Sequence, residues 1–135
     1  MENKVMKFSV LMPVYNGDKP KLFDMALTSI KNNSVQPTQI VIVVDGEISS
    51  SLEKTLEAHS NNSFDIIRIE QNKGIVNALN TGLDFCSEEL VARCDADDEN
   101  YEKRFELQLK AFESEPDLSV VGGHIIERGN HGEHH

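Results

Sequence analysis

Residues Ile40, Val41, Ile42, Val43 and Val44 form an unbroken β-branched run, and the chain then stops at Asp45-Gly46. A strand with one wet face alternates apolar and polar side chains. A run with no polar position reads instead as a strand covered on both faces, the situation of a strand inside a parallel sheet flanked by helices. Strands of that kind are joined by crossovers, so the segments on either side are expected to be helical.

The flanking sequence meets that expectation. Phe8 to Val14 is a second apolar run, interrupted by Ser9 and Pro13 and ended by the turn formers Asn16-Gly17-Asp18. Pro20 suits a first helical turn; Leu22, Phe23, Ala26, Leu27 and Ile30 then recur on one face, and the helix is predicted to end near Asn33, before Pro37. After Asp45-Gly46, Ser50 and Glu53 have the spacing of a capping box, and the thin stripe of Leu52 and Leu56 predicts a short helix lying on the surface. Phe64 to Ile69 reads as a third strand, and Gln71-Asn72-Lys73-Gly74 as a turn into a helix carrying Ile75, Val76, Leu79, Leu83 and Cys86. A fourth strand, Leu90 to Cys94, leads to a helix with the stripe Tyr101, Phe105, Leu109 and Phe112, closed by Pro116. A fifth strand is predicted to start at Leu118 and to continue through Gly122-Gly123 to Ile125-Ile126. The fold class is therefore α/β: a three-layer αβα, Rossmann-like arrangement around a mostly parallel sheet. Residues 1–130 form one domain with no repeat or linker, and 131–135 a tail.

Ligands of such sheets bind at the carboxyl ends of the strands. Here those ends are Val14-Tyr15-Asn16-Gly17, Asp45-Gly46, Asn72-Lys73-Gly74 and Asp95-Ala96-Asp97-Asp98, which gathers polar residues on one rim. The fourth end brings three carboxylates into four residues. Either a cation neutralises them or they splay into water. On an extended backbone Asp95 and Asp97 project to one side and can hold one hard divalent ion, with Asp98 pointing elsewhere; a plain turn or helix cap is the alternative.

A net charge of −10 with no Lys/Arg cluster argues against nucleic acid as a partner. Cys86 and Cys94 lack metal or redox spacing and sit in apolar segments, as reduced core residues of a cytoplasmic protein do. The segment before the first strand is too short for a signal peptide or a transmembrane segment.

Four motifs in order, Ser9-Val10-Leu11-Met12-Pro13-Val14-Tyr15-Asn16, Val43-Val44-Asp45-Gly46, Asn72-Lys73-Gly74-Ile75 with Ala78-Leu79-Asn80 and Gly82, and Ala92-Arg93-Cys94-Asp95-Ala96-Asp97-Asp98, resemble the inverting family 2 glycosyltransferases of the GT-A fold. The likeness runs from about residue 7 to 127 and is greatest to the branch that builds bacterial surface polysaccharide and lipopolysaccharide. It implies a nucleotide-diphosphate-sugar donor, UDP-sugars favoured, a saccharide or lipid-linked acceptor, a divalent metal (Mn²⁺ or Mg²⁺), and a cytoplasmic setting, peripheral to the inner membrane in a full-length protein. By the same resemblance Asp95 accepts from the ribose while Asp97, with Asp95 beside it, ligates the metal. Asp45 accepts from a base N–H; Pro13, Val14 and Tyr15 shape the base pocket; Asn72, Lys73 and Gly74 hold base or diphosphate. Arg93, with Ala96 in the same motif, pairs with Asp95 or neutralises diphosphate.

Departures from the family pattern carry expectations too. The acid that deprotonates the acceptor lies in the family beyond the fifth strand, so by this resemblance these residues are expected to be a GT-A fold truncated after about the fifth strand, the donor-binding half without the catalytic base. An exposed sheet edge and apolar face would then promote self-association. The proline often found after the acids is replaced by Glu99-Asn100-Tyr101-Glu102, and His131-Gly132-Glu133-His134-His135 resembles part of a purification tag. A different class, a non-catalytic module that binds nucleotide and metal, stays open beside the transferase. A nucleotidyltransferase would want a Gly-rich basic loop after the first strand, and Val14-Tyr15-Asn16-Gly17-Asp18 is not one.

Overall fold

A computed structural model describes residues 7–114, 120–121 and 125–127. In chain order the elements are β1 (Phe8–Val14), α1 (Pro20–Lys31), β2 (Gln39–Asp45), α2 (Ser50–Ser60), β3 (Asp65–Ile69), α3 (Ile75–Leu83), β4 (Leu90–Arg93), α4 (Arg104–Ser114), β5 (Val120–Val121) and β6 (Ile125–Glu127). The sheet order is β3-β2-β1-β4-β6-β5. The first four strands in that order are mutually parallel, and β6 runs antiparallel to β4 and β5.

Handedness distributes the helices. From β1 the chain steps outward to β2 and then β3, and right-handed crossovers put α1 and α2 on one face; α3 returns in the opposite direction to β4 and so lies on the other. The first face buries Phe8, Val10, Met12 and Val14 of β1 and Ile42 and Val44 of β2 against Phe23, Leu27 and Ile30 of α1, Leu52 and Leu56 of α2, and Phe105 and Phe112 of α4. The opposite face packs Leu11, Val41, Val43 and Val91 against Ala78 of α3 and Cys86 after it. Each large side chain removed from water in this way stabilises the fold by about 1.5–3 kcal/mol before conformational entropy is set against it. Gly82 lets α3 lie close to the sheet: a Cβ there would sit 2.3 Å from Leu11 Cδ1 and 2.7 Å from Val43 Cγ2.

Several boundaries differ from those predicted. The α2 cap is Ser49, whose Oγ accepts from Leu52 N–H at 3.2 Å; Glu53 instead pairs with Arg68 Nη1 at 2.8 Å, so the Ser50–Glu53 capping box does not form. Nor does α2 merely lie on the surface, because Leu52 and Leu56 are fully buried. Helix α4 starts at Arg104 rather than at Tyr101, which is exposed. The region predicted as one fifth strand is two short antiparallel strands, β5 and β6. The histidine-rich tail, 131–135, lies outside the described residues.

Candidate functional site

The chain leaves β1 toward β2 and comes back, after α3, to β4 on the other side of β1, so the sheet has its switch point between the carboxyl ends of β1 and β4. Pro13 helps to open that point. Leu11 pairs with Arg93 and its carbonyl accepts from Cys94 N–H at 2.9 Å. The next β1 donor facing β4 would be residue 13, and proline has none, so the ladder cannot continue. The two backbones part here.

Beyond the parting, Asp98 N–H donates to Asp95 O at 3.2 Å and closes a turn over Ala96 and Asp97. This turn brings carboxylate oxygens of Asp95, Asp97 and Asp98 within 4.8 Å of one another. The extended backbone expected to align Asp95 with Asp97 and turn Asp98 away is therefore not what forms; the turn gathers all three. Arg93 Nε donates to Asp95 Oδ1 at 3.1 Å, the pairing left open by the sequence. Buried Cys94 is held as a neutral thiol: burial pushes its pKa up to about 11, against the pull of the Arg104 guanidinium.

On the other flank Asp45 is 4% exposed, and its carboxylate accepts from the backbone N–H groups of Lys73 (Oδ1, 3.0 Å) and Gly74 (Oδ2, 3.1 Å). Gly74 N–H is shared with Asn72 Oδ1 at 3.1 Å. Asp45 thus ties the carboxyl end of β3 to that of β2. Gly46 allows the close approach, with φ of +84° and Asn72 N only 2.8 Å from where a Cβ would stand.

Between these walls lies a cleft of about 390 Å³ lined by Pro13, Val14, Tyr15, Asp45, Asn72, Gly74, Arg93, Asp95, Ala96 and Asp97. Lys73 is absent from the lining; its backbone, not its side chain, contributes, through Asp45. Tyr15 is half-exposed, with its ring over Gly17, where a Cβ would come within 2.4 Å of the phenol.

Two lining residues, Asp18 and Ile75, were not foreseen. Asp18 reads in sequence as part of a turn, and it does close one, exchanging hydrogen bonds of 3.0 Å with Tyr15. It also faces the acid turn. Partial burial, followed by the charges of Asp97 and Asp95, raises its pKa although the Tyr15 N–H opposes the shift. Its place directly after β1, on the ligand rim, was the available signal.

Comparison with known proteins gives the same picture. The family model for glycosyl transferase family 2 matches residues 9–135. The amylovoran biosynthesis glycosyltransferase AmsE of Erwinia amylovora is 37% identical over 126 residues, covering 93% of this chain and 47% of the relative. An Escherichia coli UDP-Gal:alpha-D-GlcNAc-diphosphoundecaprenol beta-1,3-galactosyltransferase is 34% identical over 128 residues, covering 94% and 46%. The chain spans about half the length of these curated relatives. Among solved structures, S. aureus TarS shares the fold with a TM-score of 0.70 at 22% identity, over 95% of this chain and 24% of that one. TarS 1–349 in complex with UDP-GlcNAc superposes with a TM-score of 0.69, over 88% of this chain and 36% of that one. The sheet and helices are those of the GT-A glycosyltransferase fold. No helix among the described residues is long and apolar enough to cross a membrane.

Proposed function

The chain belongs to glycosyl transferase family 2, and from that premise we propose that its cleft holds a nucleotide-diphosphate-sugar, UDP-sugars favoured, whose sugar passes with inversion to the hydroxyl of a saccharide or lipid-linked acceptor. The setting we propose is bacterial surface polysaccharide or lipopolysaccharide synthesis, on the cytoplasmic side; of the two relatives, one is named for amylovoran biosynthesis and the other for galactosyl transfer to a GlcNAc-diphosphoundecaprenol. The observation that carries the reading is the cleft at the β1/β4 switch point, walled on one flank by the Asp45-clamped turn and on the other by the acid turn.

The base lies between Pro13, Val14 and Tyr15 and the turn at Asn72 and Gly74. Each Asp45 oxygen already accepts one backbone N–H and keeps a second lone pair for a base N–H. The ribose hydroxyls meet Asp95, which Arg93 holds in place. The diphosphate lies over Asp97 and Asp98.

Three carboxylates on one turn repel a diphosphate, yet their clustered hard oxygens suit Mn²⁺ or Mg²⁺, and the residues fit such an ion. When bound, it supplies neutralisation of the charge on the departing diphosphate. The residues themselves bind and orient the donor: Asp45 fixes the turn that bounds the base, Arg93 holds the Asp95 carboxylate in place, and the buried strand ends exclude water from one side of the cleft.

We assign the acid that deprotonates the acceptor to the part of the longer relatives that this chain does not span. For these 135 residues the transferase and the non-catalytic binding module therefore converge on donor binding without transfer. Incubation of the chain with UDP-sugars, Mn²⁺ and saccharide or lipid-linked acceptors, followed by product analysis, tests this. Bound donor with no transferred sugar is expected, because loss of general-base help removes a factor of about 10² to 10⁴ and loss of acceptor positioning more. Acceptor-dependent transfer would put the base inside the chain, with Asp98 and Glu127 the first residues to replace.

A further inference from the structure

Arg104 opens α4, but its guanidinium is engaged with the loop before the helix. Nη2 donates to the carbonyl of Arg93 at 2.8 Å, and Nη1 donates to Cys94 Sγ at 3.3 Å and to Asn100 Oδ1. Nε is fixed by Gln108 Oε1 at 3.1 Å, one helical turn along. Arg93 is the last residue of β4, and its carbonyl is taken by a side chain from α4. Asn100 is anchored in turn: its N–H and its Nδ2 donate to Ser29 Oγ of α1 at 2.7 and 3.0 Å, and Ser29 Oγ donates to Ala26 O at 2.7 Å.

One planar cation therefore grips the chain where it enters the acid turn, at Arg93 and Cys94, and where it leaves, at Asn100. The segment between contains Asp95, Asp97 and Asp98, whose mutual repulsion would otherwise open the turn. We propose that Arg104 is a positioning residue that holds the three carboxylates in their clustered geometry by clamping both ends of their turn. Its fork matters more than its charge, because four partners in different directions are met by donors in fixed relative orientation, which an ammonium does not offer. The consequence for metal binding rests on the donor-binding reading above; the clamp itself does not.

The test compares the wild-type chain with Arg104→Lys, which keeps the charge, by amide hydrogen exchange in metal-free buffer and by electron paramagnetic resonance of Mn²⁺ with UDP. Exchange at Cys94, bonded to Leu11 O, and at Asp98, bonded to Asp95 O, should rise about tenfold, the factor set by one lost hydrogen bond, while Ile42 and Val44 in β2 are unchanged. Mn²⁺ affinity should fall about tenfold with metal-free UDP binding unaltered. Asn100→Ala, which removes the exit grip together with the Nδ2 bond to Ser29 and spares the contacts at Arg93 and Cys94, should accelerate Asp98 and leave Cys94 protected. Unchanged exchange at Cys94 and Asp98 in Arg104→Lys overturns the proposal, as does acceleration in both variants that extends equally through β2, which would make Arg104 a residue of general stability. A wild-type chain that binds UDP equally with and without Mn²⁺ refutes the metal reading alone, and the exchange arm still decides the clamp.

Discussion

Replacing Asp45 with Asn separates its structural work from any contact with a ligand. The carboxylate is 4% exposed and accepts two backbone N–H groups, from Lys73 at 3.0 Å and Gly74 at 3.1 Å. Asparagine keeps one acceptor oxygen and turns an NH₂ toward the other N–H. One hydrogen bond to a charged acceptor, worth about 1.5–3 kcal/mol, is lost, and a buried donor is left facing a donor. Gly74 N–H retains Asn72 Oδ1 at 3.1 Å as a second partner, which softens the loss on that side. Asp45→Asn should therefore destabilise the fold by about 2–4 kcal/mol, and Asn72→Ala, which removes a solvent-exposed acceptor, by about 1 kcal/mol or less. In urea denaturation followed by circular dichroism the Asp45→Asn midpoint should drop by about 1–2 M with the slope unchanged. A midpoint within about 0.3 M of wild type would refute the clamp, and Asp45 would then have to be explained by ligand binding alone.

Four further outcomes follow from particular contacts. Ser49→Ala should cost about 1 kcal/mol in thermal or urea unfolding and Ser50→Ala almost nothing, since only Ser49 caps α2. Gly82→Ala should destabilise by about 1–2 kcal/mol even though alanine favours helix, because the added methyl meets Leu11 and Val43; an increase in melting temperature would contradict the packing. Asp18 has its folded-state pKa raised above 3.8, so the native chain binds its proton more tightly than the unfolded chain and loses stability as pH rises through that range. Asp18→Asn, measured with EDTA, should therefore match wild type near pH 3 and be more stable at pH 7; a gain that is largest in acid would reverse the sign and refute the assignment. Sedimentation should show self-association through the exposed apolar side chains Ile75, Val76 and Phe85, weakened by Val76→Lys, whereas a monomer at all concentrations would refute that expectation.

The parts of the fold legible in sequence are those in which periodicity and burial agree. The β-branched run 40–44 is β2, buried from Val41 to Asp45, and the stripe Phe23, Ala26, Leu27 and Ile30 faces the sheet. The strand-end rule likewise points to Val14, Tyr15, Asp45, Asn72 and Asp95, and all five line the cleft. What escaped depends on partners distant in the chain. Tyr101 continues the helical spacing of Phe105, Leu109 and Phe112. Yet α4 starts later, because Asn33 binds Tyr101 O and Phe105 N–H, and Ser34 N–H binds Glu102 O, holding 101–103 as a loop on α1. Asp98 was turned outward by a two-residue alternation that the Asp95–Asp98 turn cancels. The spacing of Ser50 and Glu53 predicts a capping box, whereas Glu53 pairs with Arg68, fifteen residues on. The Arg104 clamp has no periodic signature at all; its partners are a carbonyl, a thiol and two amides.

A cation should decide how well the acid turn accepts a diphosphate, and isothermal calorimetry of UDP with the wild-type chain measures this directly. Titrations in Mn²⁺ and in EDTA should differ by at least about tenfold in Kd, with Asp97→Asn collapsing the Mn²⁺ value onto the EDTA value. Equal affinity in the two buffers would contradict the account, and the three carboxylates would then be a solvated turn beside a cleft that reads only the base and ribose.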